Sequence, residues 1–256
     1  MMSHEEVKLI AKIPLTEQLS TNKVSLLRRY QDKVLGEGSL VDLAYYELTT
    51  LLFGNLPGSL GYVFRKKFCK GLFKQVGKDI ILGQGIVLRH PQSITLGDRV
   101  AIDDYTLLDA SGAGDSGILL GNDVIVSRNC VIQGKTGPLK LGDGVDVGCN
   151  TILSSGSGIF IGNSVLIAGN CYIGGGRYIA NRTDIPIKEQ GIYSRGPVII
   201  KDDVWLGAGV TVLDGIEIGR GCIVGAGALV TKNLPDYSIA VGVPAKVTQT
   251  RKVHPA

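Results

Sequence analysis

No CxxC pair occurs in this sequence, and its five cysteines are an odd number. Both absences argue against a disulfide framework and against a thiolate metal site. They fit reduced thiols in a cytoplasmic protein. Histidine is scarce, at three in 256 residues: His4, His90 and His254. Aromatic residues make up 6%, which suits a narrow interior filled by Val, Ile and Leu. No uninterrupted apolar run reaches the ~20 residues that span a bilayer. The opening MMSHEEVK is acidic and polar and does not read as a signal peptide. Acidic residues are missing from one place: between Leu56 and Lys78 there are six basic residues and no Asp or Glu. The net charge of +4 comes from that segment, and no nucleic-acid partner is expected. A solvated helix face explains the run, as does attraction to an anionic membrane or a phosphorylated substrate.

Glycine is what the chain has in excess, 36 in all, about twice the usual ~7%. The glycines follow aliphatic residues and do not recur every third position, so the pattern is not collagen-like. They are read as supplying backbone angles that a side chain would forbid, once per turn. The chain reads in sixes: Ile200-Lys201-Asp202-Asp203-Val204, Leu206-Gly207-Ala208-Gly209-Val210 and Ile218-Gly219-Arg220-Gly221-Cys222 are three such units. Three units close one triangular coil, which makes a parallel β-helix. Cys130, Cys171 and Cys222 take the fifth place of a unit and are expected to point inward as small apolar residues. Asn129, Asn150 and Asn170 take a corner place and are expected to tolerate left-handed angles. The starts Leu96, Leu120, Leu141, Ile161, Ile200 and Ile218 lie 24, 21, 20, 39 and 18 residues apart. The long interval contains RYIANRTDIPIKEQGIYSRG, which has no hexapeptide pattern, so 177–196 is expected to protrude as a loop.

Ahead of the repeat, helical spacing predicts three segments. The first is Asn22 to Leu35. The second follows a Ser39 cap, with Leu40, Leu43, Ala44, Leu48, Leu51 and Leu52 on one side. The third runs from Ser59 to Gln75, with Leu60, Val63, Phe64, Phe68 and Leu72 on one face and most lysines on the other. This basic segment, 59–75, is expected to cap the first coil. Peripheral membrane contact is the alternative, and both can hold at once. The expected division is an N-terminal arm and helical cap over 1–75, a β-helix over 76–247 and a tail over 248–256.

The stretch 204–246 carries a Trp-hydrophobe-Gly segment at Trp205, then Gly-Ala-Gly-Ala at 225–228, Val-Thr-Lys at 230–232 and Gly-Val-Pro-Ala-Lys at 242–246. It resembles the ending of hexapeptide-repeat acyltransferases, in particular the branch that modifies polysaccharides and maltose. The resemblance covers about Val76 to Val247. It implies a mainly β fold, a left-handed parallel β-helix, usually assembled as a homotrimer with acetyl-CoA or another acyl-CoA in a groove between neighbouring coil stacks. It implies no metal. Trp205, Gly207, Ala208, Gly225 and Ala226 would line the pantetheine arm, with Thr231, Lys232 and Lys246 near the phosphates. The acceptor would be a saccharide entering near the loop.

Relatives carry a catalytic histidine just before or within the loop, ahead of Asp-Ile-Pro-Ile-x-x-Gln-Gly. Here Asp184-Ile185-Pro186-Ile187 and Glu189-Gln190-Gly191 are present, and the histidine is not. Tyr178, Asp184 and Glu189 remain as acid–base candidates. Arg177 and Gln190 are candidates for acceptor binding. His90, the one scaffold histidine, falls at an exposed corner far from the loop. The leading expectation is O- or N-acylation of a saccharide in surface polysaccharide assembly, by a cytoplasmic protein that can sit at the inner face of a membrane. A non-catalytic β-helix that binds or scaffolds is the competing one. A zinc hydratase of the γ-carbonic-anhydrase kind needs three histidine ligands, and only His90 lies on the scaffold.

Overall fold

The computed structural model describes residues 8–11 and 25–252. His4, His254 and the first residues of the expected N-terminal helix lie outside these. The chain forms the expected parallel β-helix. Three sheets of seven, seven and nine strands make the three faces of a prism. Face one runs from Gln75–Val76 to Glu217–Ile218, face two from Ile81–Leu82 to Ser238–Val241, and face three from Val87–Arg89 to Leu229–Val230. Each strand pairs in parallel with its counterpart one coil on. Leu96 pairs with Leu120, Leu120 with Leu141, Leu141 with Ile161, Ile161 with Ile200 and Ile200 with Ile218. Ile161 and Ile200 are therefore neighbours one coil apart, and the extra residues between them leave the prism. A final strand, Lys246–Thr250, turns back antiparallel on Ser238–Val241 and ends face two.

The interior is a stack of ladders. Ile102, Val126, Val147, Ile167, Leu206 and Val224 stack on face two and are all fully or almost fully buried. Cys130, Cys171 and Cys222 are buried as expected, and Thr106 and Thr151 occupy equivalent inward places. A thiol or hydroxyl is tolerated there because it finds a carbonyl. Cys130 Sγ donates to Gly148 O at 3.2 Å and Thr151 Oγ1 to Ala168 O at 3.3 Å.

A second ladder holds the corner between faces one and two. Asp98 Oδ1 accepts from Lys78 N, Asn122 Oδ1 from Asp98 N, Asp143 Oδ1 from Asn122 N and Asn163 Oδ1 from Asp143 N, at 2.7–2.9 Å. Each side chain thus satisfies a corner amide of the preceding coil. This corrects the expected role of the repeat glycines. The glycine that follows each face-one aliphatic residue keeps an ordinary backbone angle. A Cβ at Gly121 would instead stand 2.5 Å from Asp143 Oδ1 and 2.7 Å from the Gly142 carbonyl carbon. Glycine is there for closeness. The left-handed angles belong largely to polar corner residues, among them Asn129, Asn150 and Asn170 at φ near 60°.

Three helices cover the first coil: α1 (Leu26–Val34), α2 (Leu40–Phe53) and α3 (Gly58–Phe68). Ser39 caps α2 in a reciprocal box with Asp42. Their orientation differs from the spacing argument. In α2 the buried residues are Leu43, Tyr46 and Thr49, while Leu40, Leu48, Leu51 and Leu52 are exposed. In α3, Leu60 and Val63 are exposed and Arg65 is buried. Polar anchoring chose these faces. The Arg65 guanidinium donates to Leu82 O on the first coil at 2.9 Å, and to Phe53 O and Leu56 O at the end of α2. Tyr46 donates its hydroxyl to Leu88 O at 2.8 Å. Each anchor reaches a backbone carbonyl that a leucine could not satisfy. No helix among the described residues is long and apolar enough to cross a membrane.

Candidate active site

The loop leaves the prism after Gly174 and returns at Pro197, at the corner between faces three and one. Its two limbs pair as strands, Arg177–Tyr178 against Ile192–Ser194. The segment Lys8–Ala11 adds a third, antiparallel strand on the outer edge. Side chains fasten the loop to the coils at its feet. Arg177 Nε donates to Asp214 Oδ1 at 2.9 Å, and Asp214 Oδ2 accepts from Arg195 N at 2.8 Å. Asp214 is nearly fully buried, so both of its oxygens are used where a free charge would be costly. Ser157 donates its hydroxyl to Ser194 at 2.5 Å. Within the loop, Gln190 spans the turn: its amide nitrogen donates to Arg182 O and Ile185 O, and its oxygen accepts from Arg182 N.

A pocket of about 220 Å³ lies at the foot of the loop. It is lined by Lys135, Thr136, Ser154, Tyr172, Tyr178 and Ile192, with Gly156, Gly175 and Gly176 on its floor. Glycine at 175 leaves room for the Tyr172 hydroxyl, which a Cβ there would meet at 3.1 Å. The wall therefore combines an ammonium, two phenols and two hydroxyls with apolar backing, suited to a polar ligand of modest size.

Of the three expected acid–base side chains, Tyr178 lines this pocket. Asp184 is fully exposed and its Oδ1 accepts from Arg182 Nε at 3.0 Å. That hydrogen bond holds its carboxyl below the usual carboxylate range, which weakens it as a base. Glu189 is exposed at the end of a short turn of helix, Ile187–Glu189. Of the two expected acceptor-binding residues, Arg177 is committed to Asp214 and Gln190 to the loop backbone. His90 is half-buried rather than exposed. Its Nε2 donates to Asp32 O at 2.8 Å and its backbone N to Val34 O at 2.8 Å. It latches the end of α1 to the first coil.

The residues expected to meet the donor fall at two corners of the last coils. Gly207, Ala208, Gly225 and Ala226 stack at the corner between faces two and three, where Gly227 N donates to Ala208 O at 2.8 Å. Lys246 begins the final strand near the same corner, since Ala245 N donates to Leu229 O. Thr231 and Lys232 follow face three at the next corner. Trp205 projects outward from face two, half exposed, between Leu166 and Ile223. The pocket and the Gly207–Ala226 corner thus flank opposite edges of face three. Lys135, Thr136, Ser154 and Tyr172 escaped the sequence reading. Lys135 and Thr136 sit where a corner exceeds the regular length, the one signal that could have found them.

The fold and this corner define a hexapeptide-type solenoid with a polar pocket under an inserted loop. Comparisons agree with that class. The family model for the bacterial transferase hexapeptide (six repeats) matches residues 197–232. Rv3034c of Mycobacterium tuberculosis, named a probable acetyltransferase, is 54% identical over 69 residues, 27% of this chain and 23% of that protein. The galactoside O-acetyltransferase of Lactococcus lactis is 46% identical over 61 residues, 24% of this chain and 30% of that protein. The chain therefore spans less than a third of the curated relatives it matches. Among solved structures, the N-acyltransferase AntD of Bacillus cereus, in complex with dTDP and 3-hydroxybutyryl-CoA, superimposes with a TM-score of 0.52 at 24% identity. The match covers 73% of this chain and 88% of AntD. This chain resembles hexapeptide-repeat acetyltransferases in sequence and shares the solenoid fold, a left-handed parallel β-helix.

Proposed function

We propose that this chain transfers an acyl group, acetyl or another small acyl, from coenzyme A to an amino or hydroxyl group of a saccharide, in surface polysaccharide assembly. One observation carries the reading. The transferase-type repeat at 197–232 continues directly from the loop that roofs a polar pocket, and Tyr172 of that pocket pairs with Thr211 of that repeat. The nucleophile of the acceptor attacks the thioester carbonyl, the C–S bond breaks, coenzyme A leaves as its thiol, and one proton passes from acceptor to solvent or sulfur. An alcohol needs a base before it attacks. A neutral amine attacks with its own lone pair and sheds its proton afterwards. With no histidine at the pocket and Asp184 held by Arg182, an amino sugar is the better acceptor. AntD, on the same fold, was crystallised with dTDP-4-amino-4,6-dideoxyglucose and coenzyme A, and a sugar nucleotide is the acceptor class read here. Lys135 would hold its phosphate and Tyr178 would orient the nucleophile.

The assembly is read as a homotrimer with the donor between stacks. Outward residues on face two (Ile81, Ile125, Leu166, Trp205) and face three (Val87, Ile152, Tyr172) form apolar ladders, each close to half exposed in the single chain. Calorimetry with acetyl-CoA, followed by thiol-release assays with amino-sugar and hydroxyl acceptors, tests the reading. Donor binding with faster turnover on the amine is expected; no binding at millimolar donor would sink it. Donor binding without turnover on any acceptor would favour the scaffold reading, which the missing histidine supports.

A further inference from the structure

We propose that the outward face of α2 docks this protein on an anionic phospholipid bilayer. The basic segment 59–75 suggested membrane contact from sequence, with its apolar face as the inserting part. The structure changes which element supplies the apolar surface.

Along α2, Leu40, Val41, Tyr45, Leu48, Leu51 and Leu52 form one continuous exposed stripe with no charged residue in it. Val41 is 75% and Leu51 78% exposed, more than any inward-facing role allows. The two carboxylates of α2 are engaged beside the stripe. Asp42 closes the cap box with Ser39, and Glu47 accepts from the Tyr30 hydroxyl at 2.5 Å. Tyr45 donates to Phe68 O at 2.5 Å, which joins the stripe to the end of α3. There the outward residues continue as Leu60 and Val63 and then turn basic at Lys67, Lys70 and Lys74. Lys66 pairs with Asp79, but among the described residues no ion pair engages the other three lysines. No acidic residue occurs from Leu48 through Lys78.

An apolar helical face bordered by cations is the pattern of a helix lying in a bilayer interface. Leucines lose water at the headgroup–acyl boundary, while lysines stay among the phosphates. The helix is also set in advance. Arg65, Tyr46 and His90 fasten the three helices to the first coil, so docking need not order the helix. A second copy of this chain fits the face less well. Lysines at such a contact would need carboxylates opposite, and those of α2 are already used.

Flotation of the full chain with vesicles tests this. Binding is expected to vesicles containing about a third phosphatidylglycerol, to be weak on phosphatidylcholine alone, and to fall in about 0.5 M salt. The pair Leu48→Ser and Leu51→Ser is expected to weaken binding by roughly tenfold or more. Lys67→Ala and Lys70→Ala are expected to cost about fivefold each on anionic vesicles only. Circular dichroism confirms that the variants fold; should the leucine pair unfold, the lysine variants and the salt dependence still decide. Absence of wild-type binding, or binding indifferent to both sets, overturns the proposal. So does a fall in mass by light scattering in the leucine variant without any change on vesicles, which would make the face a contact between copies.

Discussion

Cys130 occupies a place where a repeat needs something small, inward and nearly apolar. Burial pushes its thiol up to about 11, and burial does the same for Cys69. Cys171 and Cys222 are raised for the same reason. The native chain therefore keeps these protons at pH values where the unfolded chain has lost them. Their contribution to stability is complete below the ordinary thiol range and is lost as pH rises through it toward 11. The melting temperature is expected to drop by on the order of 5 °C between pH 8 and pH 10.5, and the drop should shrink in Cys130→Ala. Labelling with iodoacetamide at pH 8 should mark the half-exposed Cys149 first and the four buried thiols only on unfolding. At the pocket, Tyr178→Phe is expected to lower turnover by about tenfold with little change in donor affinity. Asp184→Asn, acting on an exposed carboxylate already tied to Arg182, is expected to change turnover by less than about threefold. Acetyl-CoA titration and single-turnover thiol release separate the two.

Elements depend on closeness as much as on propensity. Gly121→Ala forces a methyl group against Asp143 and the next backbone. It is expected to cost about 2 kcal/mol in denaturant unfolding, although the residue has an ordinary backbone angle. The loop depends on Asp214. Asp214→Ala leaves Arg177 without its partner and Arg195 N without its acceptor. With Arg177 31% exposed, the loss is about 2 kcal/mol, short of the roughly 3–5 kcal/mol of a fully buried pair. Limited proteolysis should then cut within 177–196 while the coils survive. The helices show where periodicity stops being informative. The leucines of α2 have helical spacing, and hydrophobic burial predicts that they face the coil. Tyr46 and Arg65 face it instead, because the end of a coil presents carbonyls as well as methyl groups.

At the scale of the whole molecule, each coil touches chiefly its neighbours, so stability is close to a sum of coil and interface contributions. The outward ladders on faces two and three are the part that a single chain leaves wet. If the trimer reading holds, light scattering gives three chains, and Leu166→Lys, on face two and away from the pocket, shifts the mass toward one. The same variant should keep its fold, since Leu166 points out of the prism. The pocket sits at one edge of face three and the Gly207–Ala226 corner at the other. Loss of donor affinity in the same variant would place the donor at the contact between chains.

The prism was legible in the residues themselves. Strand pairing repeats one local rule from coil to coil, so the five intervals from Leu96 to Ile218, and the inward places of Cys130, Cys171 and Cys222, needed only the period. The break in that period showed where the loop leaves. The pocket was not legible, because Lys135, Ser154, Tyr172 and Tyr178 come from separate coils and the loop. They meet only through stacking and through the Arg177–Asp214 tie. The helix faces were also decided by tertiary structure. A leucine stripe states that a surface is apolar, and what covers it depends on which carbonyls and side chains the rest of the chain brings near.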